Sequence, residues 1–231
     1  MIGILGGMGT QAGLDFCNKL AKLYKGKVDQ KYPLFLLYNK SNIPGRPENL
    51  HKYKKVLKSL LSGCKFLEKN KCRFIVIPCN TAHYWYDDLQ KQTKIPIISM
   101  PKEVYFNANK ICKKNSKIGL LATEGTLKTK IYSKFFDKRF KLINPIKSIQ
   151  SKCVNKSIKL VKMGKIKEAE KAIKPAVNHL IKMKCKKIIL GCTELPIAVF
   201  AFKSFQKIKK SKTFLDPNLI LAVSSMKRYK N

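Results

Sequence analysis

Phe74-Ile75-Val76-Ile77-Pro78-Cys79-Asn80-Thr81 and Lys187-Ile188-Ile189-Leu190-Gly191-Cys192-Thr193-Glu194 are the two stretches that decide the fold. Each is an apolar run that breaks at a Pro or Gly and sets a cysteine just ahead of a threonine. Cys192 follows Cys79 by 113 positions in a chain of 231, about one half-length. A second pair repeats at nearly the same offset. Ile2-Gly3-Ile4-Leu5-Gly6-Gly7-Met8-Gly9-Thr10 is similar to Ile118-Gly119-Leu120-Leu121-Ala122-Thr123-Glu124-Gly125-Thr126, shifted by 116. Two landmarks at almost one spacing predict two similarly built halves. If the halves face each other, so do the cysteines, and a pair of opposed thiols can move a proton from one face of a carbon to the other.

Outward from these stretches, short β-rich runs alternate with longer helical patterns, the mark of parallel α/β units. Strands are expected at 1–5, 33–38, 73–78, 95–98, 117–121, 186–191 and 213–215. Helices are expected at 11–25, 47–69, 81–91, 101–114, 126–137, 147–163, 166–184 and 217–228. Thr10, Thr81, Thr126 and Thr193 stand where helices begin and are expected to cap free N–H groups. Pro101 and Pro217 suit a first helical turn, and Gly164 reads as a helix stop. The basic segment 203–212 reads as a variable loop. With no low-complexity linker, the domain crossing must be short. The expected division is 1–98 plus 213–231 for the first half and 99–212 for the second.

In such sheets ligands sit at the carboxyl ends of strands, beside helix N-termini. Cys79 and Cys192 both occupy that position. The helix dipole there favours the thiolate, so a lowered thiol pKa is expected for both. Cys17, Cys64, Cys72, Cys112, Cys153 and Cys185 fall within helical patterns, at their ends or before a strand, and read as small buried residues. The turn Gly6-Gly7-Met8-Gly9 offers a backbone cradle for an anion. It is neither G-x-G-x-x-G nor a loop ending in G-K-[ST], and Asp29 does not end an apolar strand, so a nucleotide site is not expected.

A hydrophobic share of 45% suffices for a buried core. No run approaches the ~18 apolar residues of a spanning helix, so no membrane association is expected. The chain starts directly in a strand-like segment without a basic leader, and its eight cysteines are not clustered. A reduced, cytoplasmic protein is the expectation. No C-x-x-C occurs and the three histidines are scattered, which argues against zinc. The formal net charge of +36 is extreme. It suggests either a nucleic-acid partner or lysines spread over solvated helix faces. The excess is nearly all lysine, with four arginines (Arg46, Arg73, Arg139, Arg228) and no recognised nucleic-acid module. Arginine is the better residue for phosphate and base contacts. Nucleic acid is therefore not the expected partner, although a basic nucleic-acid-binding protein remains the alternative of another class.

Taken together and in order, these segments resemble the aspartate/glutamate racemase superfamily, its aspartate racemases most closely. Ile2–Gly9 is similar to the family's opening strand and loop. Pro78-Cys79-Asn80-Thr81-Ala82-His83 and Gly191-Cys192-Thr193-Glu194 are similar to its two catalytic signatures. Ile97-Ile98-Ser99-Met100, Leu120-Leu121-Ala122-Thr123 and Asp216-Pro217 also fit, whereas Gly9-Thr10 stands where many relatives have Gly-Pro. The resemblance implies two pseudo-symmetric parallel-sheet α/β halves with the active site in the cleft between them. It implies cofactor-independent racemisation, in which one cysteine removes the Cα proton and the other delivers a proton to the opposite face. Cys79 and Cys192 match the catalytic pair. Met8, Asn80, Thr81, Ala82, Thr123, Thr193 and Glu194 match substrate-binding positions. Arg46 and Lys162 match the cations that take the second carboxylate of aspartate. The implied substrate is aspartate, with glutamate or a broader set of amino acids as the alternative, and the implied assembly is a homodimer.

Overall fold

The computed structural model describes residues 1–24, 28–200 and 213–230. The chain divides into two compact units, residues 1–103 with 218–231, and residues 104–217. Among the described residues, each unit carries one four-stranded, all-parallel sheet.

In the first unit the strands are β1 (Ile2–Gly6), β2 (Phe35–Asn39), β3 (Phe74–Val76) and β4 (Ile97–Ile98), in the order β2-β1-β3-β4. Alternation along the strands splits the core into two layers. Ile2, Ile4, Phe74 and Val76 pack with Phe16 and Leu20 of α1 (Thr10–Leu23). Leu221, Ala222 and Met226 of the C-terminal helix Pro217–Lys230 join the same layer. Leu5, Ile75 and Ile77 point the other way, toward Val56, Leu60, Cys64 and Leu67 of α2 (Tyr53–Lys69) and toward Trp85. Both faces of the sheet are covered, as parallel strands require.

In the second unit β5 (Lys117–Ala122), β6 (Lys141–Ile143), β7 (Lys187–Gly191) and β8 (Phe214–Leu215) follow the order β6-β5-β7-β8. This is the order of the first sheet, position for position. Leu121, Ile188 and Leu190 pack on Ile173, Ala176, Val177 and Leu180 of the long helix Ile166–Lys182. The two sheets bear out the repeat read from the sequence.

Four expectations need correction. Strand β8 pairs with β7 in parallel, so residues 213–217 belong to the second unit, not the first. The crossings fall inside the first turns of two helices, Met100–Ile111 and Pro217–Lys230, at 103/104 and 217/218. Strand β6 was not expected, because three residues at a sheet edge are too short to show a period. Several helical patterns are broken: 126–137 is two short helices, Glu124–Lys128 and Ser133–Phe136, and 147–163 contains a π-helical turn at Gln150–Asn155.

Capping also differs. Thr123, not Thr126, caps its helix, accepting the Thr126 N–H at 3.1 Å. Thr10 is the first residue of α1, behind an N-cap Gly9. Thr81 opens a 3₁₀ segment (Thr81–Trp85), and the helix after Thr193 starts at Leu195. Pro101 and Pro217 do lie in first turns. Gly164, with φ +75°, follows the helix Lys156–Lys162. The basic segment 203–212, expected to be a variable loop, lies outside the described residues.

Candidate active site

All the candidate residues but one lie just past the carboxyl ends of the strands; Lys162 ends a helix. In the first unit they gather on three loops. Gly7, after β1, has φ +86°, and a Cβ there would stand 2.2 Å from the Lys40 backbone carbon. Only glycine allows this close approach, which brings the loop carrying Met8 against the loop after β2. Arg46 on that second loop is buried, at 8% exposure. Its Nη1 donates to the carbonyls of Ile43 (3.2 Å) and Pro44 (3.1 Å), and its Nη2 donates to the Met8 carbonyl (2.8 Å). Backbone from two loops thus fixes the guanidinium plane. Nε is buried and has no hydrogen-bond partner, and no carboxylate is paired with Arg46 among the described residues. A desolvated cation held in this way can take an anion on that edge, because burying an unpaired charge is costly.

The third loop carries Cys79, Asn80, Thr81 and Ala82, all buried. Both backbone polar groups of Cys79 are engaged. Its N–H donates to the Ile77 carbonyl at 2.7 Å, and its carbonyl lies 2.9 Å from His83 Nδ1. His83 Nε2 accepts the Met100 N–H at 3.0 Å. His83 was quoted in the sequence motif but given no role there.

In the second unit the register pairs Ala122 with Gly191, which sets Thr123 and Cys192 at adjacent strand ends. Cys192 and Glu194 are both buried. The Cys192 thiol donates to Glu194 Oε2 at 2.9 Å, and the Thr193 hydroxyl lies 3.4 Å from the same oxygen. Burial, then the adjacent Glu194 carboxylate, push the Cys192 thiol well above its ordinary pKa; Lys162 opposes them. The expectation of a lowered pKa is therefore overturned at Cys192. Desolvation and a neighbouring negative charge outweigh the helix dipole. Lys162, at the end of helix Lys156–Lys162, is near enough to act on Cys192 electrostatically.

Two further residues border this site. Tyr132 is buried and feels both Asp216 and Cys192. Gln150, on the π-helical turn, donates through Nε2 to the Ala122 carbonyl at 2.9 Å. Neither carried a signal in the sequence, since a lone Tyr or Gln in a helical pattern looks like any other. All eight cysteines are free thiols. Among the described residues no helix is long and apolar enough to cross a membrane, and no group of three or more His, Cys, Asp or Glu is placed to hold a metal ion.

Comparison with known proteins adds the following. The sequence profile of the Asp/Glu/Hydantoin racemase family matches residues 5–224. A broad specificity amino-acid racemase of Bacillus subtilis, RacX, is 27% identical over 233 residues, covering 99% of this chain and 98% of that one. A glutamate racemase of Sulfurihydrogenibium is 32% identical over 126 residues, 53% of this chain and 46% of that one. Among solved structures, the aspartate racemase of Picrophilus torridus superposes with a TM-score of 0.84 at 27% identity, covering 99% of this chain and 94% of that one.

Proposed function

Because this chain belongs to the Asp/Glu/Hydantoin racemase family, we propose that it interconverts L- and D-aspartate without a cofactor, using Cys79 and Cys192 as the two acid–base groups. The observation that carries this reading is the pair of thiols at equivalent strand ends of two sheets with the same strand order. In one direction the Cys79 thiolate removes the Cα proton, and the Cys192 thiol delivers its proton to the opposite face. The enzyme is left with Cys79 as thiol and Cys192 as thiolate, the form that runs the reaction backward. By family analogy Cys79 serves the D-enantiomer and Cys192 the L-enantiomer.

The Cα proton is a weak acid, so fixed donors must stabilise the developing carbanion. In this reading Asn80, Thr81, Thr123 and Thr193 hold the amino and α-carboxylate groups, with Met8 and Ala82 lining the site. Arg46 takes the distal carboxylate on its free Nε edge, and Lys162 shares the charge. Glu194, expected among the substrate contacts, is assigned instead to the Cys192 thiol, which it keeps protonated until the donation step. The same reading carries a homodimer acting in the cytoplasm; sedimentation velocity tests the assembly.

One finding favours a second reading, racemisation of a broader set of amino acids. A relative that covers nearly the full length, RacX of Bacillus subtilis, is a broad specificity racemase. Incubation of L- and D-aspartate, glutamate and alanine with the protein in heavy water, followed by proton NMR at Cα, decides between them. Exchange and inversion confined to aspartate support the first reading. Comparable rates on alanine support the second. No exchange on any amino acid removes both.

A further inference from the structure

His83 is a buried imidazole whose two nitrogens face backbone groups of opposite kind. Nδ1 lies 2.9 Å from a carbonyl oxygen, that of Cys79, which can only accept. Nε2 lies 3.0 Å from the N–H of Met100, which can only donate. One protonation state satisfies both: neutral, with the proton on Nδ1. Met100 opens the helix Met100–Ile111, so its N–H is one of the donors a helix start leaves without an intrahelical partner. The ring therefore joins the peptide that carries the Cys79 thiol to the start of that helix.

Resting on the two-cysteine reading, we propose that His83 is the positioning residue for Cys79: a neutral, Nδ1-protonated imidazole that holds the Cys79 peptide in its reactive orientation. The Cys79 N–H is already tied to Ile77. With the carbonyl tied to His83 as well, little but the thiol's own rotamer is left free. The groups facing the ring are few. They are the backbone of Cys79, Asn80, Ile98 and Met100, and the stacked ring of Tyr86 at 6.3 Å, whose phenol donates to the Ile97 carbonyl. Burial holds the ring below the ordinary histidine pKa, against the backbone groups of Cys79, Ile98 and Asn80, which favour the charged form. A second proton on Nε2 would set N–H against the Met100 N–H and break the link.

Two measurements test this. The first is the ¹⁵N spectrum of histidine-labelled wild-type protein near neutral pH, assigned with His83→Phe. A protonated Nδ1 and a bare Nε2 support the proposal. The opposite tautomer or an imidazolium overturns it, whatever the enzyme turns over. The second uses His83→Phe, which keeps bulk and stacking but removes both hydrogen bonds, and His83→Asn, which can restore the donor to the Cys79 carbonyl. The expected result is a fall in kcat of roughly tenfold or more in His83→Phe at nearly unchanged KM, partly recovered in His83→Asn. Wild-type kcat in His83→Phe, or equal losses in both variants, overturns it. If the wild type proves inactive on every amino acid, the racemase reading fails. The rate of Cys79 labelling by iodoacetamide, mapped by mass spectrometry, then decides: a change in His83→Phe upholds the positioning role and no change refutes it.

Discussion

The loop after β3 and the loop after β7 set a cysteine at the same place in two sheets of the same order, yet they hold it in different ways. At Cys79 the constraint is on the backbone, with N–H to Ile77 and carbonyl to His83. At Cys192 the constraint is on the sulfur itself, hydrogen-bonded to Glu194. Repetition supplies placement, and neighbouring side chains supply acidity. A two-base exchange starts each turnover with one thiolate and one thiol. The Glu194 contact biases Cys192 toward the thiol, so the two loops are alike in placement and unlike in what holds the cysteine.

The sharpest way to break the comparison is to remove either sulfur. Cys79→Ala and Cys192→Ala are each expected to cut racemisation by about 10²–10⁴-fold or more, the usual worth of a general acid or base. Each should retain Cα exchange of one enantiomer only, and of opposite enantiomers, because one base survives in each. Exchange followed by NMR in heavy water checks this. Near-normal racemisation by either variant ends the two-base account.

Arg46 lies in the first unit, on the loop after β2. Arg46→Lys is expected to lower kcat/KM for aspartate by roughly tenfold or more, the cost of a lost charge-assisted hydrogen bond of about 1.5–3 kcal/mol. Lysine cannot donate to three carbonyls in one plane and still present a second edge to a carboxylate. Alanine turnover should change little. Equal losses on aspartate and alanine would reassign Arg46 to holding the loops of Met8 and Ile43 together.

What the sequence made legible follows the same contrast. Placement is readable because short apolar runs that end in turn residues are local signals; seven of the eight described strands and both cysteines come from these. Chemistry set across the fold was not readable. The clamp on Arg46 joins residues 8 and 46 through a close approach at Gly7 that no spacing announces. The raised thiol pKa at Cys192 is not legible in the sequence, because the dipole argument needs only local order, while burial and the reach of Glu194 appear once the loop is folded. Strand β8 was assigned to the wrong half because two residues, Phe214 and Leu215, show no preference for a partner before β7 is in place.

Glu194→Gln tests the difference in acidity directly. Without the carboxylate's charge the Cys192 thiol should ionise at lower pH. Iodoacetamide should then label Cys192 about tenfold faster at neutral pH for each unit by which its pKa falls. Peptide mapping separates this from labelling at Cys79, which should keep its rate. Unchanged labelling at Cys192 would mean that burial alone sets its acidity.

The smallest expected effect is on stability, and it has opposite signs in the two loops. Burial lowers the His83 pKa below its ordinary 6.5, so the unfolded chain binds a proton there more readily than the native state does. Its contribution is present above pH 6.5 and is lost as pH falls through the folded value. The Cys192 pKa is raised above its ordinary 9.0, so here the native state holds the proton longer. That contribution is present below pH 9.0 and is lost as pH rises. Urea unfolding should therefore show His83→Phe flattening the acid limb of the stability profile, and Cys192→Ala flattening the alkaline limb. If each variant instead lowered stability by the same amount at every pH, neither loop's protonation would be linked to folding. The two loops would then differ in geometry alone.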